Sequence, residues 1–148
     1  MEKIIAGVDG SPSSLKAVCL AADLAGKYGA ELVLVTVEHD LSPALMAELE
    51  TYMRQEHIDV PVGELPTEHA ENVMADARLQ AEANGAGKIT SRILRGDPAE
   101  EIIGVAQREN ADLIVVGSRG HGRLAGLLLG SVAQKVIAHA SCPVLVAR

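Results

Sequence analysis

The residues with the most chemical potential lie in one stretch, VVGSRGHGRLAGLLLGSVAQKV, residues 115 to 136. An apolar run ends in Gly117, and glycines recur at 120, 122, 126 and 130, the last followed by Ser131. A residue without a Cβ lets backbone approach a ligand closely. A Gly-Ser pair opening a helix offers unpaired N–H groups to an anion, and the Ser131 hydroxyl adds a further donor. Arg119, His121 and Arg123 form a local basic cluster suited to phosphate charge. The chemistry indicated is the holding of a phosphorylated ligand. The plain alternative is a glycine-rich surface loop in which Ser131 only caps a helix.

Two better-known cradles can be excluded on spacing. A Walker A loop requires Lys and then Ser or Thr after its last glycine, and the residues after Gly122 are Arg123 and Leu124. A dinucleotide fingerprint can be forced onto Gly120, Gly122 and Ala125. It does not follow a strand directly, and no strand-end acid lies at the distance needed to hold a ribose. What remains is Gly117, two residues, Gly120, nine residues, then Gly130-Ser131.

The elements that must position this stretch are legible from periodicity. KIIAGV (3–8), ELVLVTV (31–37), KITSRIL (88–94), DLIVVG (112–117) and PVLVAR (143–148) read as strands, several of them apolar on both faces, as in a buried parallel sheet. Between them, Leu15, Val18, Cys19, Ala22 and Ala25 recur at helical spacing. So do Ala99, Ile102, Ile103 and Ala106, and also Val132, Val136, Ile137 and Ala140. The segment between the second and third strands exceeds one crossover. Leu45, Met46, Leu49 and Met53 suggest one helix there, Ala70, Val73, Met74, Ala77 and Ala81 another, and DVPVGELP between them reads as a mobile loop. Ser11-Pro12 begins the first helix, and Asp97 with Pro98 and Glu100 reads as a helix start. Asn84-Gly85 reads as a helix stop.

The expected fold is a single α/β domain over 1–148, an open five-stranded parallel sheet flanked by helices, with strand order 3-2-1-4-5. Winding reverses between strands one and four, and ligands in such sheets sit at the carboxyl ends flanking that point. VDGS (8–11) and VGSRG (116–120) occupy those ends. Asp9 is thereby a candidate ribose or metal ligand, the alternative being that it only turns the chain into the helix.

Bulk composition narrows the partners. With 13 basic and 20 acidic residues the net charge is −7, which argues against a nucleic-acid or membrane-surface binder. Trp and Phe are absent, so stacking platforms for single strands are missing. Two cysteines, Cys19 and Cys142, are too few for a disulfide framework or zinc cluster, and both read as buried, inert thiols. His39, His57, His69 and His139 show no metal-ligand spacing, and His139 reads as favourable charge at a helix C-terminus. No stretch approaches the length of a spanning helix, and a cytoplasmic location is the expectation.

Taken together, GSRGHGRLAGLLLGS, VDGSPSSLKAV, ADLIVVGSRG and SCPVLVAR resemble the universal stress protein family, whose ATP-binding motif is G-x2-G-x9-G-[ST]. The resemblance covers almost the whole chain and is weakest from about 40 to 85. It implies a flavodoxin-like domain that dimerises and binds ATP, or AMP or ADP, with Mg2+ or Mn2+. Carried over, it places Asp9 near ribose and phosphates, where it would help hold a nucleotide-bound metal. Gly7 and Val8 would line the nucleotide, and the backbone of Val37 would address adenine. Gly117, Gly120, Gly130, Ser131 and Val132 would cradle ribose and phosphates, with Arg119 beside them. With no aromatic at hand, adenine is expected between Val8, Val37 and Val116.

PVLVAR would be an edge strand, apolar on both faces, and edges of that kind invite pairing. A homodimer through Val144 to Ala147 is expected, as the resemblance also implies. The leading function is an ATP-binding stress-response regulator. The alternatives are an interaction protein working through its dimer surface with a vestigial cleft, and an enzyme, a slow ATPase included. Hydrolysis is expected to be weak because no residue stands out as a water-activating base. A response regulator is discounted because Leu94-Arg95-Gly96 stands where its phosphoacceptor Asp belongs, and a flavodoxin because neither Tyr28 nor Tyr52 falls at a strand end.

Overall fold

The fold was determined as a computed structural model, which describes residues 1–60, 66–120 and 129–148. His121, Gly122, Arg123 and Gly126, and most of the expected loop before Thr67, lie outside the described residues. The elements are β1 (Lys3–Gly7), α1 (Pro12–Tyr28), β2 (Glu31–Glu38), α2 (Pro43–Gln55), α3 (Glu68–Ala83), β3 (Lys88–Arg95), α4 (Pro98–Arg108), β4 (Leu113–Gly117), α5 (Ser131–His139) and β5 (Val144–Ala147). All strand pairs are parallel and the five strands lie in the order β3-β2-β1-β4-β5, as expected from right-handed crossovers.

Side chains alternate between two covered faces, which is why the strands read as continuous apolar runs. Ile4, Ala6, Leu32, Leu34 and Val115 pack under α1 and α3. Ile5, Val33, Val35, Ile114 and Val116 pack under α4 and α5. α1 buries only part of its expected stripe, with Val18 fully enclosed. Ala17, Ala21, Ala22 and Ala25 are buried, whereas Leu15 and Cys19 are only half-buried. The reason is close packing: a Cβ on Gly26 would lie 2.6 Å from the Gly85 carbonyl oxygen, so α1 meets the end of α3 along small residues. Cys19 faces α3 instead, its Sγ 3.4 Å from Asn84 Nδ2. α5 buries the expected Val136 together with Ala133 and leaves Ile137 exposed.

The ends of the helices follow their local chemistry. Ser11, Ser42, Thr67 and Asp97 each accept an N–H from the first turn of α1, α2, α3 and α4 respectively. Gly85, at φ +93, takes the left-handed conformation that stops α3. Among the described residues α2 is the least embedded helix, with Met53 its one buried side chain.

The amino ends of the strands carry a compact ion-pair network. Lys3 Nζ lies 2.8 Å from Glu109 and 3.6 Å from Glu31, Lys88 lies 2.9 Å from Glu31, and Arg92 3.3 Å from Glu109. Lys3, Glu31 and Lys88 are in register across β1, β2 and β3. A hydrogen bond from Thr90, reinforced by Lys88 and Lys3, holds the Glu31 carboxyl down at about 2.

A candidate nucleotide cleft at the switch point

At the carboxyl ends the neighbouring strands diverge. β1 pairs with β4 only as far as Ala6 and Val115. Beyond that β1 stays with β2, where Val8 N donates to Val35 O at 2.8 Å, and β4 stays with β5, where Ser118 N donates to Ala147 O at 2.7 Å. β1 ends at Gly7, one residue before its expected limit, and the parting opens a cleft of about 670 Å³. Every candidate nucleotide-binding residue described by the structure lines it: Gly7, Val8, Asp9, Val37, Val116, Gly117, Arg119, Gly120, Gly130, Ser131 and Val132.

The turn at Asp9 is built locally. Asp9 Oδ1 accepts Ser11 N at 2.8 Å, and Gly10 sits at φ +80, so the chain doubles back into α1. The turning role weighed for Asp9 is thus real, and its other oxygen, Oδ2, faces Gly120: a Cβ there would be 2.9 Å away. One carboxylate atom shapes the backbone while the other points across the cleft.

The loop after β4 is fastened to the start of α1. Ser13 Oγ accepts Arg119 N–H at 3.2 Å and donates to the Arg119 carbonyl, which also accepts from Ser11 Oγ at 3.2 Å. Gly117 is required by this closeness, since a Cβ would stand 2.7 Å from both Ser13 C and Ser14 N. Gly130 returns beneath the same loop, its N–H donating to Ser118 O at 2.6 Å and its absent Cβ 3.3 Å from Arg119 Cα. Neither glycine has a positive φ. Their need for glycine comes from one chain segment passing another, a purpose that motif spacing alone does not reveal.

α5 begins differently from the other helices. Its N-cap is Gly130, not Ser131, and among the described residues no side chain bonds to its first turn. The Ser131 cap considered as the plain alternative is therefore not formed. Ser131 is the first helical residue, and the amino-terminal N–H groups that an α-helix leaves unpaired open at the cleft, with the positive end of the helix dipole.

The aliphatic residues do not converge from one side. Val37 and Val116 belong to the α4–α5 layer, whereas Val8 packs into the α1–α3 layer. The cleft crosses the top of the sheet and touches both layers. Its opposite wall was not visible in the sequence: Glu38, Thr67, Ala70, Val73 and Arg95 come from the ends of β2 and β3 and the start of α3, and Leu41 from the connection between β2 and α2. Asp97, legible as a helix cap, is also there, and its carboxyl is held below the usual range by the Glu100 N–H it accepts and by Lys135 at 3.1 Å.

Among the described residues no set of three or more His, Cys, Asp or Glu side chains is arranged around a cation. Asp9 is an acid that faces the glycine loop. No helix among the described residues is long and apolar enough to cross a membrane.

An open, doubly wound parallel sheet with a cleft at its switch point defines a class of ligand-binding α/β domains. Within that class, the model of the universal stress protein family matches residues 1–148. The chain is 37% identical over 147 residues to a universal stress protein of Methanocaldococcus jannaschii, covering 99% of this chain and 82% of that one. UspA of Lactobacillus plantarum superposes with a TM-score of 0.79 at 26% identity, over 99% of this chain and 97% of that one. A universal stress protein solved in complex with cAMP superposes at 0.73 with 28% identity, over 99% and 96% respectively. The protein belongs to the universal stress protein family.

Proposed function

We propose that residues 1–148 act as one nucleotide-binding domain, taking an adenine nucleotide, ATP or its AMP or ADP forms, in the switch-point cleft, as a dimeric regulator of a stress response. The observation that carries this reading is the start of α5. A helix N-terminus at Gly130-Ser131, with no side-chain cap among the described residues, opens on the cleft beside Gly117, Arg119 and Gly120, an arrangement suited to phosphate. Ser131 and Val132 supply backbone donors to the phosphates, and Gly130, whose own N–H is taken by Ser118 O, gives the close approach. Asp9 faces them, placed to take a ribose hydroxyl or a phosphate-bound Mg2+ or Mn2+. Val37 and Val116 give the base an apolar face, with Gly7 and Val8 at its edge. The complex of a structural relative with cAMP supports an adenine nucleotide as the ligand class.

The dimer is proposed through β5, and the two sheet edges support this. β3 at one edge carries Lys88, Arg92 and Arg95, which discourage pairing, while β5 at the other is Val144-Leu145-Val146-Ala147. A cytoplasmic setting accords with this reading.

The test is thermal unfolding with ATP and Mg2+, with GTP and Mg2+, and with no nucleotide. A ligand that binds only the native state at a hundred times its Kd adds about 2.7 kcal/mol. ATP is expected to raise the midpoint well above both other arms. Gly130→Ala with Ser131→Ala should remove that rise in a protein that stays folded and dimeric. An unchanged midpoint at millimolar ATP sinks the nucleotide reading, and a rise that survives the double substitution relocates the cradle.

A further inference from the structure

The wall of the cleft opposite the glycine loop is held by a single carboxylate. Glu38, the last residue of β2, lies beside Arg95, the last residue of β3, in the parallel register. Its Oε2 accepts Arg95 Nη2 at 3.2 Å. Its Oε1 accepts Thr67 N–H at 3.0 Å and the Thr67 hydroxyl as well. The Thr67 hydroxyl in turn accepts Ala70 N–H at 3.2 Å, capping α3. The Glu38 carbonyl accepts Gly96 N–H at 2.8 Å, fixing the turn that leads to Asp97 and Pro98. Glu38 and Arg95 are largely enclosed, their side chains 13% and 16% exposed, and both line the cleft with Thr67, Ala70 and Val73.

We infer that Glu38, Thr67 and Arg95 form a positioning clasp that holds the first turn of α3 as a wall of the cleft and so sets how long a bound nucleotide stays. The inference rests on the nucleotide reading for its ligand. Its structural half stands alone. Thr67 is where the chain returns to the sheet after α2, a helix with only Met53 buried among the described residues. The far half of α3 is held independently, by Ala77 and Ala81 buried against α1 and by Asn84 and Gln80 on Cys19. Loss of the clasp therefore frees the first turn without unfolding the helix. Glu38 touches no reacting atom in this account; it acts through Thr67.

The experiment compares wild type with Glu38→Ala, Thr67→Val, their double variant and Thr67→Ser. It reads stopped-flow association and release of a fluorescent adenine nucleotide with Mg2+, and amide hydrogen exchange. Glu38→Ala is expected to speed release about tenfold with association within about twofold, and to speed exchange at Ala70 and Glu71 about tenfold while Ala77 and Ala81 keep wild-type protection. The double variant should release no faster than Glu38→Ala, because both remove one linkage. Thr67→Ser, which keeps the hydroxyl, should restore wild-type release. Unchanged release with faster exchange at Ala70 overturns the positioning role, and faster exchange spread to Ala77 and Ala81 overturns the local clasp. If wild type binds no nucleotide, the functional reading fails. Exchange then decides the clasp: localised loss at Ala70 and Glu71 upholds it, and no loss overturns it.

Discussion

The two ends of the sheet use charge in opposite ways. At the amino ends Lys3, Glu31, Lys88, Arg92 and Glu109 pair with one another. At the carboxyl ends the strands part between β1 and β4, and a helix starts at Gly130 with no side chain among the described residues closing it. One end joins three strands and α4. The other holds backbone donors in place around a space. The difference lies in what each set of polar groups faces.

Substitutions at the two ends should separate these roles, and the largest effect is expected at Gly117. Gly117→Val puts side-chain atoms where Ser13 C and Ser14 N already stand 2.7 Å from an ideal Cβ. Overpacking of this kind costs about 3 kcal/mol, so calorimetry should show a midpoint lowered by about 6–12 °C, together with weaker nucleotide binding. A variant of full stability would show that α1 yields easily and that the glycine serves the ligand alone.

Glu31→Gln, at the other end, should change stability and leave binding alone. The folded carboxyl titrates at about 2, below its ordinary 4.5. Its contribution is thus fully present above about pH 4.5 and is lost as the pH falls through about 2, because the unfolded chain then binds the extra proton. At pH 7 the loss is about 1–2 kcal/mol after allowance for solvent screening. Urea titrations of both proteins at pH 7 and near pH 2 should show that gap closing in acid. A gap that persists near pH 2 would place the effect in packing. Altered nucleotide affinity would mean that the two ends are coupled.

The smallest change is expected for Asp97→Ala, which removes the N-cap of α4 at the margin of the cleft. Loss of such a cap costs about 1 kcal/mol. Chemical denaturation should register it, with nucleotide affinity reduced less than by Gly130→Ala with Ser131→Ala. An equal loss of affinity would make Asp97 part of the binding surface and not only of its margin.

Helix caps and strands were legible in the sequence because their signals are local. Ser11-Pro12, Asp97-Pro98 and Asn84-Gly85 act through backbone within a few residues. The strand runs were legible because both faces are covered, and their order followed from the handedness of crossovers. The first helix was misread at Leu15 and Cys19 because periodicity gives a stripe but not which neighbour it meets, and close approach at Gly26 favoured alanines. Glu38 and Arg95 carried no sequence signal, being 57 positions apart and brought together only by the register of β2 and β3.

The sequence by itself determined the elements, their order and the Gly117, Gly120, Gly130-Ser131 spacing, because propensity, capping and handedness are short-range properties. Only the tertiary structure decided what those glycines accommodate. Gly117 makes room for α1 and Gly130 for the loop at Ser118 to Gly120, and closeness between distant segments is not written in the spacing of either. It decided also that α5 begins at the cleft with no side-chain cap among the described residues and that Glu38 holds the opposite wall, since both depend on where separate strands end in space.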